Sequence, residues 1–216
     1  MLNRRIFTAT LGAWSLAACT ARNPAPETAA AAPPNMLVAD TPEPYPITPV
    51  DLSKIDRRYW RQVVPDPTGE PAGTIVVDPD AKFLWLVLEG GQAMRYGVGV
   101  GREGFEWKGR ATVARKATWP TWTPPREMIA REPQLEQWAR GMPGGPQNPL
   151  GARALYLYEG PVDTLYRIHG TAEPWSIGRS VSSGCVRLLN VDVIDLHARV
   201  PVGSRVLVRP SGGASV

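Results

Sequence analysis

Thr74-Ile75-Val76-Val77-Asp78, then Lys82-Phe83-Leu84-Trp85-Leu86-Val87-Leu88, Glu89-Gly90-Gly91 and Gln92 to Val100 form the stretch that sets the fold class. The apolar runs are short, rich in β-branched and aromatic residues, and separated by turn formers, which predicts consecutive hairpin strands. Similar runs recur at Ala111 to Thr118, Ala154 to Tyr158, Thr164 to His169 and Arg205 to Arg209. With 23 Pro and 21 Gly in 216 residues, turns are frequent and long helices few. The expectation is a mainly β domain over residues 73–210, an antiparallel or mixed sandwich with short helices.

Outward from that domain the composition changes. Arg4 and Arg5 precede an uncharged apolar run from Ile6 to Ala18, the order of an export signal. The run is too short to span a bilayer, which takes roughly 20 apolar residues. It ends in Leu16-Ala17-Ala18-Cys19, which resembles a lipoprotein cleavage site with Cys19 as the lipidated residue. Residues 1–19 are therefore read as a signal peptide. Residues 20–50, with eight prolines between Pro24 and Pro49, are read as a disordered tether. In residues 51–72, Leu52, Ile55, Tyr59 and Val63 recur at helical spacing and predict a short amphipathic helix. Residues 211–216 read as a flexible tail.

Inside the domain, Trp119 to Leu150 is a Trp- and Pro-rich insertion with short helices expected within Glu127 to Arg140. Its tryptophans either line a cleft or cover the core. Asn190-Val191-Asp192 predicts a helix start, with Asp192 as negative charge at its N-terminus and Val193 to Val200 as the body.

Removing residues 1–19 takes away Arg4 and Arg5 and no acid, leaving 22 basic against 20 acidic residues and lowering the net charge from +4 to +2. Nucleic acid is thus not an expected partner. Two separated histidines and one remaining cysteine make no metal ligand set, and no cofactor is expected. Gly99 to Gly104 formally matches a dinucleotide fingerprint but sits among hairpin signals and is read as a turn.

Cys185 remains as a lone thiol in an exported chain, where thiols usually pair. It follows a Ser- and Gly-rich loop, Ser182-Ser183-Gly184-Cys185, 16 positions after His169 at the end of a predicted strand. An imidazole that takes the thiol proton makes the nucleophilic thiolate. His169 is the candidate base and His197, in the terminal helix, a structural residue. The N–H groups of Ser183, Gly184 and Cys185 are candidate oxyanion donors, and Arg187 points to the side of Cys185.

His169-Gly170-Thr171, Ile177-Gly178 and Ser182-Ser183-Gly184-Cys185-Val186-Arg187 resemble the signature of L,D-transpeptidases with the YkuD-type catalytic domain. Ser183 stands where that family often has a second histidine. The resemblance implies a YkuD-like β-sandwich, with Cys185 as nucleophile and His169 as proton donor and acceptor. Ser183, Gly184, Arg187, Gly170 and Ser182 would serve oxyanion and substrate binding. It further implies peptidoglycan peptide stems as partners, acylation of Cys185 by a tetrapeptide with release of D-alanine, and transfer to an amine. The membrane is a partner through the lipid on Cys19, and the cell envelope is the expected compartment.

Overall fold

The computed structural model describes residues 43–47, 50–101, 107–182 and 184–210. The expected signal peptide with Cys19, most of the tether, the 211–216 tail and Ser183 lie outside these residues.

Eleven strands are described: β1 (Gln62–Pro65), β2 (Ile75–Asp78), β3 (Phe83–Val87), β4 (Gln92–Gly97), β5 (Val100–Gly101), β6 (Gly109–Thr118), β7 (Arg153–Glu159), β8 (Val162–Thr171), β9 (Ser180–Ser182), β10 (Val186–Leu189) and β11 (Arg205–Val208). Helices are α1 (Arg126–Arg131) and α2 (Asn190–Arg199), with short 3-10 turns between. The mainly β class is as expected. Nine strands run in the order β1-β4-β3-β2-β11-β6-β7-β8-β10, with parallel pairing at β2/β11 and β8/β10. β5 and β9 form a separate parallel pair.

The sandwich is made by curling this one mixed sheet on itself. Leu84, Tyr96, Val113, Leu155, Leu157, Ile168 and Leu188, from across the sheet, share one buried cluster with Val193, Leu196 and Val200 of α2 and its C-cap. The Tyr96 hydroxyl donates to Asp195 Oδ2 at 2.6 Å, tying β4 to α2, while α2 itself packs on β7 and β8. Beyond β4 the chain bonds back to the far strand, with the Gly99 N–H donating to the Arg187 carbonyl (2.9 Å) and the Arg187 N–H to that of Gly99 (2.8 Å). At the opposite end of α2, Lys116 Nζ donates to the His197 and Val200 carbonyls, supplying the helix C-terminus with a positive charge.

Three expectations are corrected. The helix over Leu52 to Val63 is two 3-10 turns, Leu52–Lys54 and Arg57–Tyr59, each capped by a preceding aspartate, followed by strand β1. The caps at Asp51 and Asp56 break the run into single turns, so Ile55 and Tyr59 reach the core without a continuous helix. The described end of the tether is docked: Glu43 receives two hydrogen bonds from Arg153 and one from Trp119 Nε1, Tyr45 packs edge-on to Trp119, and Ile47 packs beside Trp119 and Ile194. Composition hid this because the anchor is a polar side chain meeting a buried arginine. Asp192 is fully buried with Arg61 Nε 3.7 Å from Oδ1 and no hydrogen bond to either oxygen, and burial, opposed by the Arg61 charge, lifts its pKa to about 7. It stands in the first turn as expected, but burial opposes the negative charge expected there.

In the insertion, α1 is followed by a 3-10 turn over Pro133–Trp138. Trp119 covers the core with Ala152 and Ile194 rather than lining a cleft. The fully buried Asn148 holds the loop, its Nδ2 lying 3.0 to 3.1 Å from the Pro120, Met142 and Pro143 carbonyls.

Candidate active site

Strand register builds the site. Ile168, Val186 and Leu188 point into the core, so the alternate residues face the other way. On that outer face Ala117, Ala154, His169, Arg187 and Gly99 follow one another across neighbouring strands. One pleat away run Arg115, Tyr156 and Arg167, and continuing the β8/β10 register by one residue puts Cys185 beside Arg167. His169 and Cys185 are thus diagonal neighbours on one face. Adjacent strands about 4.8 Å apart and a two-residue offset of about 6.6 Å put their Cα atoms roughly 8 Å apart, a gap that an imidazole and a thiol span together.

His169 is 4% exposed and its Nδ1 lies 2.6 Å from the Gly170 carbonyl oxygen. A carbonyl only accepts, so Nδ1 carries the hydrogen and Nε2 keeps its lone pair. Burial lowers the imidazole pKa to about 4 against the opposing pull of the Gly170 bond, and Arg187 and Arg167 lower it further by repelling the charged form. Cys185 is half-buried, and desolvation raises its thiol pKa, opposed by a backbone hydrogen bond with Arg167 and by the charges of Arg167 and Arg187. The resting pair is therefore a neutral thiol and a neutral imidazole.

Gly184 has φ +128°, which glycine adopts freely, and an added Cβ would meet only Tyr166 at an ordinary 3.7 Å. Its requirement is conformational. Arg187 lies on the face of Cys185 as its spacing predicts, and its Nη1 donates to Glu173 Oε2 at 2.7 Å. The Glu173 N–H is in turn held by Thr171 Oγ1 and its carbonyl by the Ser176 hydroxyl. Gly170 differs from its expected substrate-binding place: its Cα faces α2, where a Cβ would stand 2.2 Å from Asn190 Oδ1. That oxygen accepts from the Ala152 N–H at 2.9 Å, so Gly170 seats α2 and its carbonyl aims His169. Ser182 lies in β9. His197, expected to be structural, is half-buried on α2; burial and the charges of Lys116 and Arg153 lower its pKa to about 4.

The residues before β1 buttress this loop. Tyr59 packs so closely on Gly178 that a Cβ there would lie 2.3 Å from the ring, and Gly178 also has φ +79°. Ile55, Tyr59, Ile177, Leu189 and Val191 form one cluster under the site.

Residues 72–208 match the family model for the L,D-transpeptidase catalytic domain, YkuD. The chain belongs to the L,D-transpeptidase family. Among relatives of this family, the probable L,D-transpeptidase YbiS of Escherichia coli is 35% identical over 149 residues, covering 67% of this chain and 46% of that protein. The chain thus spans about half the length of the E. coli relative. A putative L,D-transpeptidase of Fuscovulum blasticum, encoded in an ATP synthase subunits region, is 34% identical over 160 residues, covering 73% of this chain and 79% of its own. A crystal structure from Brucella melitensis, described as a probable carnitine operon oxidoreductase, is 48% identical with a TM-score of 0.51, covering 71% of this chain and 96% of that one. That description is of the Brucella protein. Here the glycine stretch from Gly99 passes into β5, which pairs parallel with β9, and the next described element is again a strand.

Arg115, Tyr156 and Arg167 in the row of Cys185, and Glu173 paired with Arg187, carry no motif that marks them in the sequence of this L,D-transpeptidase-family chain. Period-two alternation offered a signal for one of them: Arg167 stands two residues before His169 and must share its face.

Proposed function

We propose that the chain is a cysteine acyltransferase, an L,D-transpeptidase that takes its acyl group from peptidoglycan tetrapeptide stems. The observation that supports it is the shared outer face of His169 and Cys185, with Nδ1–H anchored to Gly170 so that Nε2 is left as the base. In this reading Nε2 takes the thiol proton as sulfur attacks the carbonyl of the third, L-centred residue. The N–H groups of Ser183, Gly184 and Cys185 hold the oxyanion. The tetrahedral adduct collapses, the C–N bond to the terminal D-alanine breaks, and that amine leaves with the proton from His169. The thioester then receives an acceptor amine that has lost its proton to His169, forming a new amide and restoring the thiol. Ser182 and Arg187 border the donor.

The neutral resting pair fits a thiol whose proton moves only as substrate binds. The same reading places the protein in the cell envelope, exported by residues 1–19 and anchored to a membrane through a lipid on Cys19. Among the described residues no helix is long and apolar enough to cross a membrane.

Incubating the protein with defined tetrapeptide stems and following intact mass tests this. The expected result is a thioester on Cys185, released D-alanine and a crosslinked product, all lost in Cys185→Ala. A water-derived tripeptide as sole product would make the enzyme a carboxypeptidase with the same site. An adduct that survives in Cys185→Ala would overturn the assignment.

A further inference from the structure

The row that leads across the sheet to Cys185 is unusually cationic. Tyr156 is flanked by two guanidinium groups, Arg115 at 3.4 Å and Arg167 at 4.6 Å from its ring centroid, as their register on either side of it requires. Arg167 is committed, since Nη1 and Nη2 donate to the two oxygens of Asp163 at 2.7 and 2.9 Å. Arg115 is exposed, and no carboxylate among the described residues lies within ion-pair distance of it. The Asp163 carboxyl, held below its ordinary range by these bonds and by the charges of Arg167 and Arg115 despite desolvation, is one negative charge against two positive ones. Arg187 in the neighbouring row is balanced by Glu173. One net positive charge is left over in the nucleophile's row, on an Arg115 guanidinium stacked on a ring that fixes its direction. The row of His169 continues alongside through two small residues, Ala154 and Ala117.

We propose that Arg115, stacked on Tyr156, forms an anion subsite that reads a free carboxylate on the second residue of the donor stem, next to the residue whose carbonyl is attacked. Arg115 stands three strand spacings from Cys185, about 14 Å between backbones. Two extended peptide residues cover about 7 Å, and the arginine side chain with the carboxylate's own arm spans the remainder. A guanidinium donates two parallel N–H bonds to a carboxylate, a geometry that a lysine cannot reproduce. Arg167, locked to Asp163, serves the subsite by holding the far side of Tyr156.

This inference rests on the stem-donor reading above, and its test separates the two. Cys185 acylation is measured with two tetrapeptides that differ only at the second residue, one carrying a free carboxylate and the other a carboxamide. The parent protein is expected to favour the carboxylate about tenfold in kcat/KM, the scale of one charge-assisted hydrogen-bonded contact. Arg115→Gln should bring the ratio close to one, and Arg115→Lys should restore part of it, with melting temperatures confirming that each variant is folded. Equal rates for both peptides with the parent protein, or an unchanged ratio in Arg115→Gln, would overturn the subsite alone. No thioester from either peptide, while a carbapenem-like reagent still acylates Cys185, would overturn the donor reading and the subsite with it.

Discussion

His169 and Arg187 are register partners in the parallel pairing of β8 and β10, which sets Cys185 one pleat upstream of Arg187 on the face that carries the imidazole. The same arrangement puts two cations, Arg167 and Arg187, near both reacting groups, where they disfavour imidazolium and favour thiolate.

His169→Ala should leave the domain folded and slow Cys185 acylation by about 10²- to 10⁴-fold, the usual contribution of a positioned base. In the parent protein the acid limb of kcat/KM should fall well below pH 6.5, because the imidazole pKa is lowered to about 4. Stopped-flow acylation between pH 4 and 8 checks both, and an acid limb at 6.5 would contradict the buried, neutral base.

Asp192 opposes stability as pH rises. Its folded pKa, about 7, lies above the ordinary 3.8, so the folded state holds the extra proton and stability is lost between those two values as the carboxyl ionises without hydrogen bonds. His169 and His197 act the other way, since folded values near 4 make stability rise with pH up to about 6.5. Asp192→Asn should therefore melt higher than the parent at pH 8, by a few °C on the scale of about 2–4 °C per kcal/mol. The gap should close toward pH 4, as read by thermal scans across that range.

Gly178→Ala meets both a forbidden backbone angle and the Tyr59 ring. A loss of about 1–3 kcal/mol is expected from urea denaturation. Adding Tyr59→Ala should recover little in total, because that ring itself fills the cluster with Ile55 and Ile177.

Glu43→Ala strands the Arg153 guanidinium, whose side chain is 8% exposed. A loss of about 3–5 kcal/mol is expected, as when one partner of a buried pair is removed. Starting the chain at residue 51 should destabilise it similarly, measured by the urea midpoint.

Much of this was legible in the sequence because the strands are short β-branched and aromatic runs bounded by turn formers, and the helix after Cys185 begins where Asn190 to Asp192 predict. His169 and Cys185 stood out as the strand-end histidine of two and the thiol left beside Cys19, around a Ser- and Gly-rich loop. What stayed hidden depended on partners far along the chain. Glu43 gains meaning only from Arg153, and Arg115 and Arg167 only when β6, β7 and β8 lie side by side around Tyr156. The Leu52 to Val63 periodicity was real, but two aspartate caps turned it into separate turns that deliver Tyr59 to Gly178. Asp192 had the right position for a helix-end charge and the wrong burial.

The two hydrogen bonds between Gly99 and Arg187 occupy the outer edge of β10, the last strand of the nine. A peptide therefore cannot pair with Arg187 by strand addition, as many peptide-binding domains allow. In the proposed reading, a chain that reaches the sulfur lies over the pleats, met by side chains and by the amides of the cysteine loop, and at Arg187 the edge offers neighbouring molecules no free backbone pair.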